Sequence, residues 1–133
     1  MGAVEKLTGL VDSPDRYDIP ASELRETQVE AMNERFQQRI GAIKLLAHRA
    51  NDAQVSEIRG LDDAVRVLFP HTAYKSYPES FLIDQRWDRL SKWLDTVSAN
   101  RVPVEKVKDA PDVDGWLANL EREGFFVSCS SGT

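Results

Sequence analysis

Between Val29 and Ala50 the apolar residues Val29, Met32, Phe36, Ile40, Ile43, Ala47 and Ala50 recur every three or four positions. That spacing lays one stripe down a helix, and Pro20 followed by Ala21 and Ser22 marks where the helical pattern opens. Arg25, Glu30, Glu34, Arg35, Gln38 and Arg49 occupy its other faces. Gly41 costs about 1 kcal/mol inside a helix and is the expected bend or break. Upstream, residues 1–20 carry turn-forming clusters (Thr8-Gly9, Asp12-Ser13-Pro14-Asp15) and little periodicity, so they read as an irregular lead-in.

Leu61, Val65 and Leu68 predict a shorter helix, with Asp62 and Asp63 in its first turn and Pro70 as its stop. The connector from His71 to Tyr77 is polar and aromatic, and Pro78 is suited to opening the next helix. Trp87, Leu90, Leu94 and Val97 place one apolar face on that helix, with Trp93 beside it and Pro103 after its end. Val102, Val104 and Val107 alternate loosely and suggest an extended or irregular stretch. Asp112 is the expected N-cap of a last helix with Val113, Trp116, Leu117 and Leu120 as its apolar face, and Gly124 its terminator. Phe125-Phe126-Val127 reads as a short buried strand.

The expected fold is therefore mainly α, with four or five helices and one C-terminal strand. Residues 1–20 form the lead-in, residues 21–124 the helical region, and residues 125–133 the strand with the start of a loop. One strand has no neighbour for its backbone groups, so Phe125–Val127 invites self-association.

At 133 residues, with 41% hydrophobic and 29% charged residues, the chain has the composition of a globular domain. Its net charge of −5 supplies no basic face for a duplex, so nucleic acid is not an expected partner. Apolar runs do not exceed three residues, which excludes a membrane span, and no secretory signal is visible at the N-terminus. The single cysteine, Cys129, closes no internal disulfide and fits a cytoplasmic location.

The remaining chemistry-bearing residues have plain structural readings. His48 falls beside the apolar stripe of its helix as a surface residue, and His71 belongs to the connector; neither has metal-ligand spacing around it. Asp62 and Asp63 complement a helix dipole. Trp87, Trp93 and Trp116 are core anchors, in phase with other apolar residues. Lys75, between two tyrosines, is a solvated lysine over an aromatic face. Cys129 has no cationic neighbour to lower its thiol pKa and reads as a small loop residue.

The last residues carry the sharpest signal. Small hydroxyl side chains around a glycine, directly after an apolar segment, suit the wrapping of a phosphate. Val127-Ser128-Cys129-Ser130-Ser131-Gly132-Thr133 resembles the opening of the phosphate-binding loop of acyl-adenylate-forming (AMP-binding) enzymes, the acyl-CoA synthetase superfamily. The upstream order is similar to the phenylacetate–CoA ligase branch, through Gln28–Asn51, Leu61-Asp62-Asp63 and Tyr74-Lys75-Ser76-Tyr77-Pro78. Only the loop is a specific motif, and the stretch from Trp87 to Asp112 is longer than a minimal ligase requires.

The resemblance implies that the chain is the N-terminal part of a larger α/β adenylate-forming fold. It implies ATP and Mg for the full-length enzyme and none for the 133 residues alone, which are expected to be inactive. It further implies a carboxylic-acid substrate and coenzyme A or a carrier thiol as acceptor. Ser130, Ser131, Gly132 and Thr133 are the expected ATP phosphate-binding residues, with the catalytic residues beyond residue 133. The alternative reading is a free-standing helical protein-interaction module without catalytic activity.

Overall fold

The computed structural model describes residues 2–128. Among them are eight α-helices and one 3-10 helix, in two compact units, Met1–Pro70 and His71–Thr133.

The first unit contains α1 (Ala3–Leu10), α2 (Ala21–Arg39), α3 (Lys44–Asp52) and α4 (Leu61–Val67). The predicted lead-in is thus half helix. Its α1 is held to α2 by polar groups: the Val4 N–H donates to Glu34 Oε2 at 3.2 Å, and Lys6 Nζ reaches Thr27 Oγ1 at 3.5 Å. A carboxylate from the neighbouring helix therefore satisfies one of the orphan donors of α1, a contact no local pattern encodes.

The long helix breaks where Gly41 stands. Ile40 and Ile43 bond back to Phe36 and Arg39, and α3 then restarts at Lys44. The break shifts the helical frame, so Leu46 packs inward in place of the expected Ala47, which is exposed. Phe36, Ala50, Val55, Ile58 and Val67 form the core of this unit. Asn33 and Gln37, one turn apart on α2, pin the link between α3 and α4: Asn33 Oδ1 accepts from the Ile58 N–H at 2.9 Å, and Gln37 Nε2 donates to the Ser56 carbonyl at 2.8 Å.

Two arginines exchange helix caps. The Arg49 guanidinium on α3 donates to the Arg66 carbonyl in the last turn of α4 at 3.3 Å, while the Arg66 guanidinium donates to the Ala53 carbonyl that ends α3. Each cation thus meets the negative end of the other helix. The buried face of α4 is not the predicted one. Ala64 and Val67 pack inward, whereas Leu61, Val65 and Leu68 are exposed by 43%, 63% and 62%. A seven-residue helix with apolar residues on two faces leaves the choice to tertiary packing.

The second unit begins with the 3-10 helix His71–Lys75 and continues with α5 (Ser80–Ile83), α6 (Trp87–Val97), α7 (Val104–Val107) and α8 (Val113–Arg122). The helix expected from Pro78 onward is split, because Gln85 adopts φ 53° between α5 and α6. The stretch expected to be extended contains one helical turn, α7, whose Val107 is fully buried. Trp87, Leu90, Val102, Val107, Trp116 and Leu120 make the core: the α6 and α8 stripes predict Trp87, Leu90, Trp116 and Leu120, while Val102 and Val107 come from the stretch between those helices. The Trp87 and Trp116 rings stack with centroids 6.0 Å apart. Both indole N–H groups are satisfied: Trp87 donates to the Ala110 carbonyl at 2.9 Å and Trp116 to Ser91 Oγ at 2.8 Å. Trp93 donates to Ser76 Oγ at 2.8 Å and meets the Tyr77 ring edge-on, which ties the connector to α6.

Asp112 caps α8 as predicted, accepting from the Gly115 N–H at 2.8 Å. Gly124, at φ +86°, ends it: the Gly124 N–H donates to Glu121 and the Phe125 N–H to Leu120, both at 2.9 Å. This is a Schellman arrangement. It also corrects the expected C-terminal strand. No strand or sheet occurs among the described residues, so the fold there is all-helical, with nothing of the larger α/β fold. The Phe125 N–H is consumed by the helix end, and Phe126 and Val127 have no neighbouring backbone with which to form a ladder.

Candidate functional site

The expected phosphate-binding residues Ser130, Ser131, Gly132 and Thr133, together with Cys129, lie outside the described residues. What the structure describes is the approach to them. Phe125, Phe126, Val127 and Ser128 leave the end of α8 and fold beside its outer face, where Asp114, Leu117, Ala118 and Glu121 line an open depression. Phe125 rests on the core of the second unit, while Phe126 is 83% exposed.

The electrostatics of this approach are acidic. No lysine or arginine lines the depression, and Asp114 and Glu121 are among its lining residues. These side chains repel a phosphate, so the depression is not itself an anion site.

The other sequence candidates are placed as follows. His48 Nε2 lies 3.3 Å from Asp52 Oδ2 one turn along α3, with both side chains well exposed. His71 opens the 3-10 helix and is exposed. Asp63 does more than face a helix dipole, because its Oδ2 accepts from the Arg59 N–H at 3.0 Å and so closes the entry to α4. Lys75 ends the 3-10 helix and is exposed. The three tryptophans sit in or against the second unit's core.

The Asp88 and Lys108 pKa values are displaced, and both groups belong to surface ion pairs. The hydrogen bond from the Arg86 guanidinium, with its positive charge, holds the Asp88 carboxyl below its ordinary value; Arg86 Nε lies 3.2 Å from Asp88 Oδ1. The Glu105 carboxylate, accepting from Lys108 Nζ at 2.5 Å, raises the lysine above its ordinary value. Neither lines the depression beside α8. Among the described residues no group of three or more His, Cys, Asp or Glu side chains is placed to hold a metal ion, and no helix is long and apolar enough to cross a membrane.

Sequence reasoning missed the depression because Phe126 was assigned to a buried strand, whereas Leu117 packs against the core as expected and also lines the depression. The spacing of Asp114, Leu117, Ala118 and Glu121 on one helix face was the available signal. No family model matches the chain, and comparison with curated proteins and with solved structures gave no match either.

Proposed function

We propose that the chain is the N-terminal portion of an ATP-dependent ligase that activates a carboxylic acid as its acyl-adenylate and then passes the acyl group to a thiol such as coenzyme A. By itself it is inactive. The observation that carries this reading is the run Val127-Ser128-Cys129-Ser130-Ser131-Gly132-Thr133, which resembles the opening of the phosphate-binding loop of adenylate-forming enzymes.

In this reading Ser130, Ser131 and Thr133 donate hydroxyl hydrogen bonds to the outer phosphoryl oxygens of ATP, and Gly132 lets the backbone approach them. Their contribution is positioning and charge stabilisation while the carboxylate attacks the α-phosphorus and pyrophosphate leaves. None of the described residues fits a Mg site, so no role toward the metal is assigned to them. The work of this enzyme falls in the cytoplasm.

The test is acid-dependent exchange of labelled pyrophosphate into ATP by an enzyme carrying this chain at its N-terminus. Aryl, fatty and amino acids are each supplied in turn. Exchange with one class is the expected result, and no exchange with any class overturns the proposal.

A second reading, a helical protein-interaction module, is favoured by the exposed row of Leu61, Val65 and Leu68 on α4. It yields no exchange under the same conditions.

A further inference from the structure

We infer that the outer face of α8 is a docking groove for a basic amphipathic segment of a partner polypeptide. This inference stands on the geometry of the second unit alone and is independent of the ligase reading.

Leu117, Ala118, Phe126 and Val127 supply apolar lining to the groove. Phe125, just before that pair, is anchored at the helix end by its N–H bond to the Leu120 carbonyl and packs against the core. Yet Phe126 is 83% exposed and Val127 38%, so the groove presents apolar surface that the described residues leave uncovered.

The rims decide the occupant. Asp114 and Glu121 lie two turns apart on one face, about 10 Å along the axis. Neither carboxylate has an ion pair or a side-chain hydrogen bond among the described residues, whereas Asp88, Asp95, Glu105 and Glu123 each face a cation. Glu121 moreover sits in the last turn of α8, where the helix dipole opposes a negative charge. Two unpaired carboxylates two turns apart on α8, among apolar lining residues, complement a helix that carries two cations two turns apart with an apolar side chain between them. A nucleic acid or an anionic lipid surface is repelled by the same rims.

The test uses the whole chain and a fluorescently labelled, alanine-based helical peptide with two lysines two turns apart and leucines between them. A matched peptide has glutamates for the lysines. Anisotropy is expected to show saturable binding of the lysine peptide only, weakened by added salt. The D114N/E121Q double variant and F126S are each expected to lower its affinity on the order of tenfold. These side chains are exposed, so circular dichroism and tryptophan emission should report an unchanged fold. No saturable binding of the lysine peptide, equal binding of the glutamate peptide, or unchanged affinity in both variants overturns the inference.

Discussion

The indole N–H of Trp116 donates to the Ser91 hydroxyl at 2.8 Å, and both side chains are buried. This bond joins α8 to α6 at the centre of the second unit, beside the Trp87–Trp116 stack. A serine with no exposed surface in the middle of an amphipathic helix is explained by that one donor. Ser91→Ala should cost about 1–3 kcal/mol, because the indole N–H is left buried without an acceptor. The Ser91→Ala/Trp116→Phe double variant should cost less than the sum of the two single changes. Chemical denaturation of the four proteins measures the coupling, and strict additivity would show that the bond contributes nothing specific.

Left-handed residues give a prediction of opposite signs. Gln54, Gln85 and Gly124 occupy equivalent positions at the ends of α3, α5 and α8, each with positive φ. In each, the following residue bonds back to a carbonyl five positions earlier: Val55 to Ala50, Arg86 to Phe81 and Phe125 to Leu120. A side chain at such a position costs about 1–2 kcal/mol relative to the relaxed backbone. Gln85→Gly should therefore raise the stability by about 1 kcal/mol at most, seen as a higher unfolding midpoint. Gly124→Ala should lower it by a similar amount. Thermal melts of the two variants check both signs.

Gly41 behaves differently. It stands at the break between α2 and α3, but its φ is not positive and a Cβ placed there meets nothing within 4 Å. Glycine is not needed for this turn. Gly41→Ala should be neutral or stabilising by up to ~1 kcal/mol through a less flexible unfolded chain. A loss of stability beyond that range in urea unfolding would contradict this account.

The Arg86–Asp88 pair predicts a pH dependence. Its Asp88 pKa lies below the ordinary carboxylate value of 3.8 in the folded protein. The pair therefore stabilises the fold above that ordinary value, and the contribution is lost as pH falls through the lowered folded pKa. Because both side chains are partly exposed, the effect is small and sensitive to salt. Asp88→Asn should be slightly less stable than the parent at neutral pH, with the difference closing in strong acid. Paired denaturation curves across that range measure it.

ATP should bind the isolated chain with negligible affinity. The residues that line the depression beside α8 are acidic, apolar or, at Ser128, a neutral hydroxyl, and they offer no cation to the phosphates. Calorimetry at millimolar nucleotide should give no saturating heat, and micromolar binding would contradict this prediction.

Much of the second unit was legible in its residues. The three- and four-residue spacing of Trp87, Leu90 and Leu94 gave α6, and Asp112, Trp116, Leu120 and Gly124 gave α8 with both its ends. These signals are local: a cap, a stripe and a left-handed terminator act within one helix. The expected strand failed for a tertiary reason. Phe125-Phe126-Val127 has the composition of a strand, but a strand needs a partner, and the end of α8 takes the first N–H of the segment. In the candidate site, the acidic groove along α8 was not legible in the sequence. That groove exists only because the segment after Gly124 turns back along α8.

Sequence by itself determined the helical character, the cap at Asp112 and the tryptophan-centred core, since each follows from side-chain periodicity or the backbone preference of one residue. Tertiary structure alone decided which face of α4 is buried, that α1 forms against Glu34, and that Arg49 and Arg66 cap one another's helices. Those outcomes depend on groups from different helices meeting in space. A helix with two apolar faces, or a carboxylate far along the chain, has no preferred partner until the fold brings one to it.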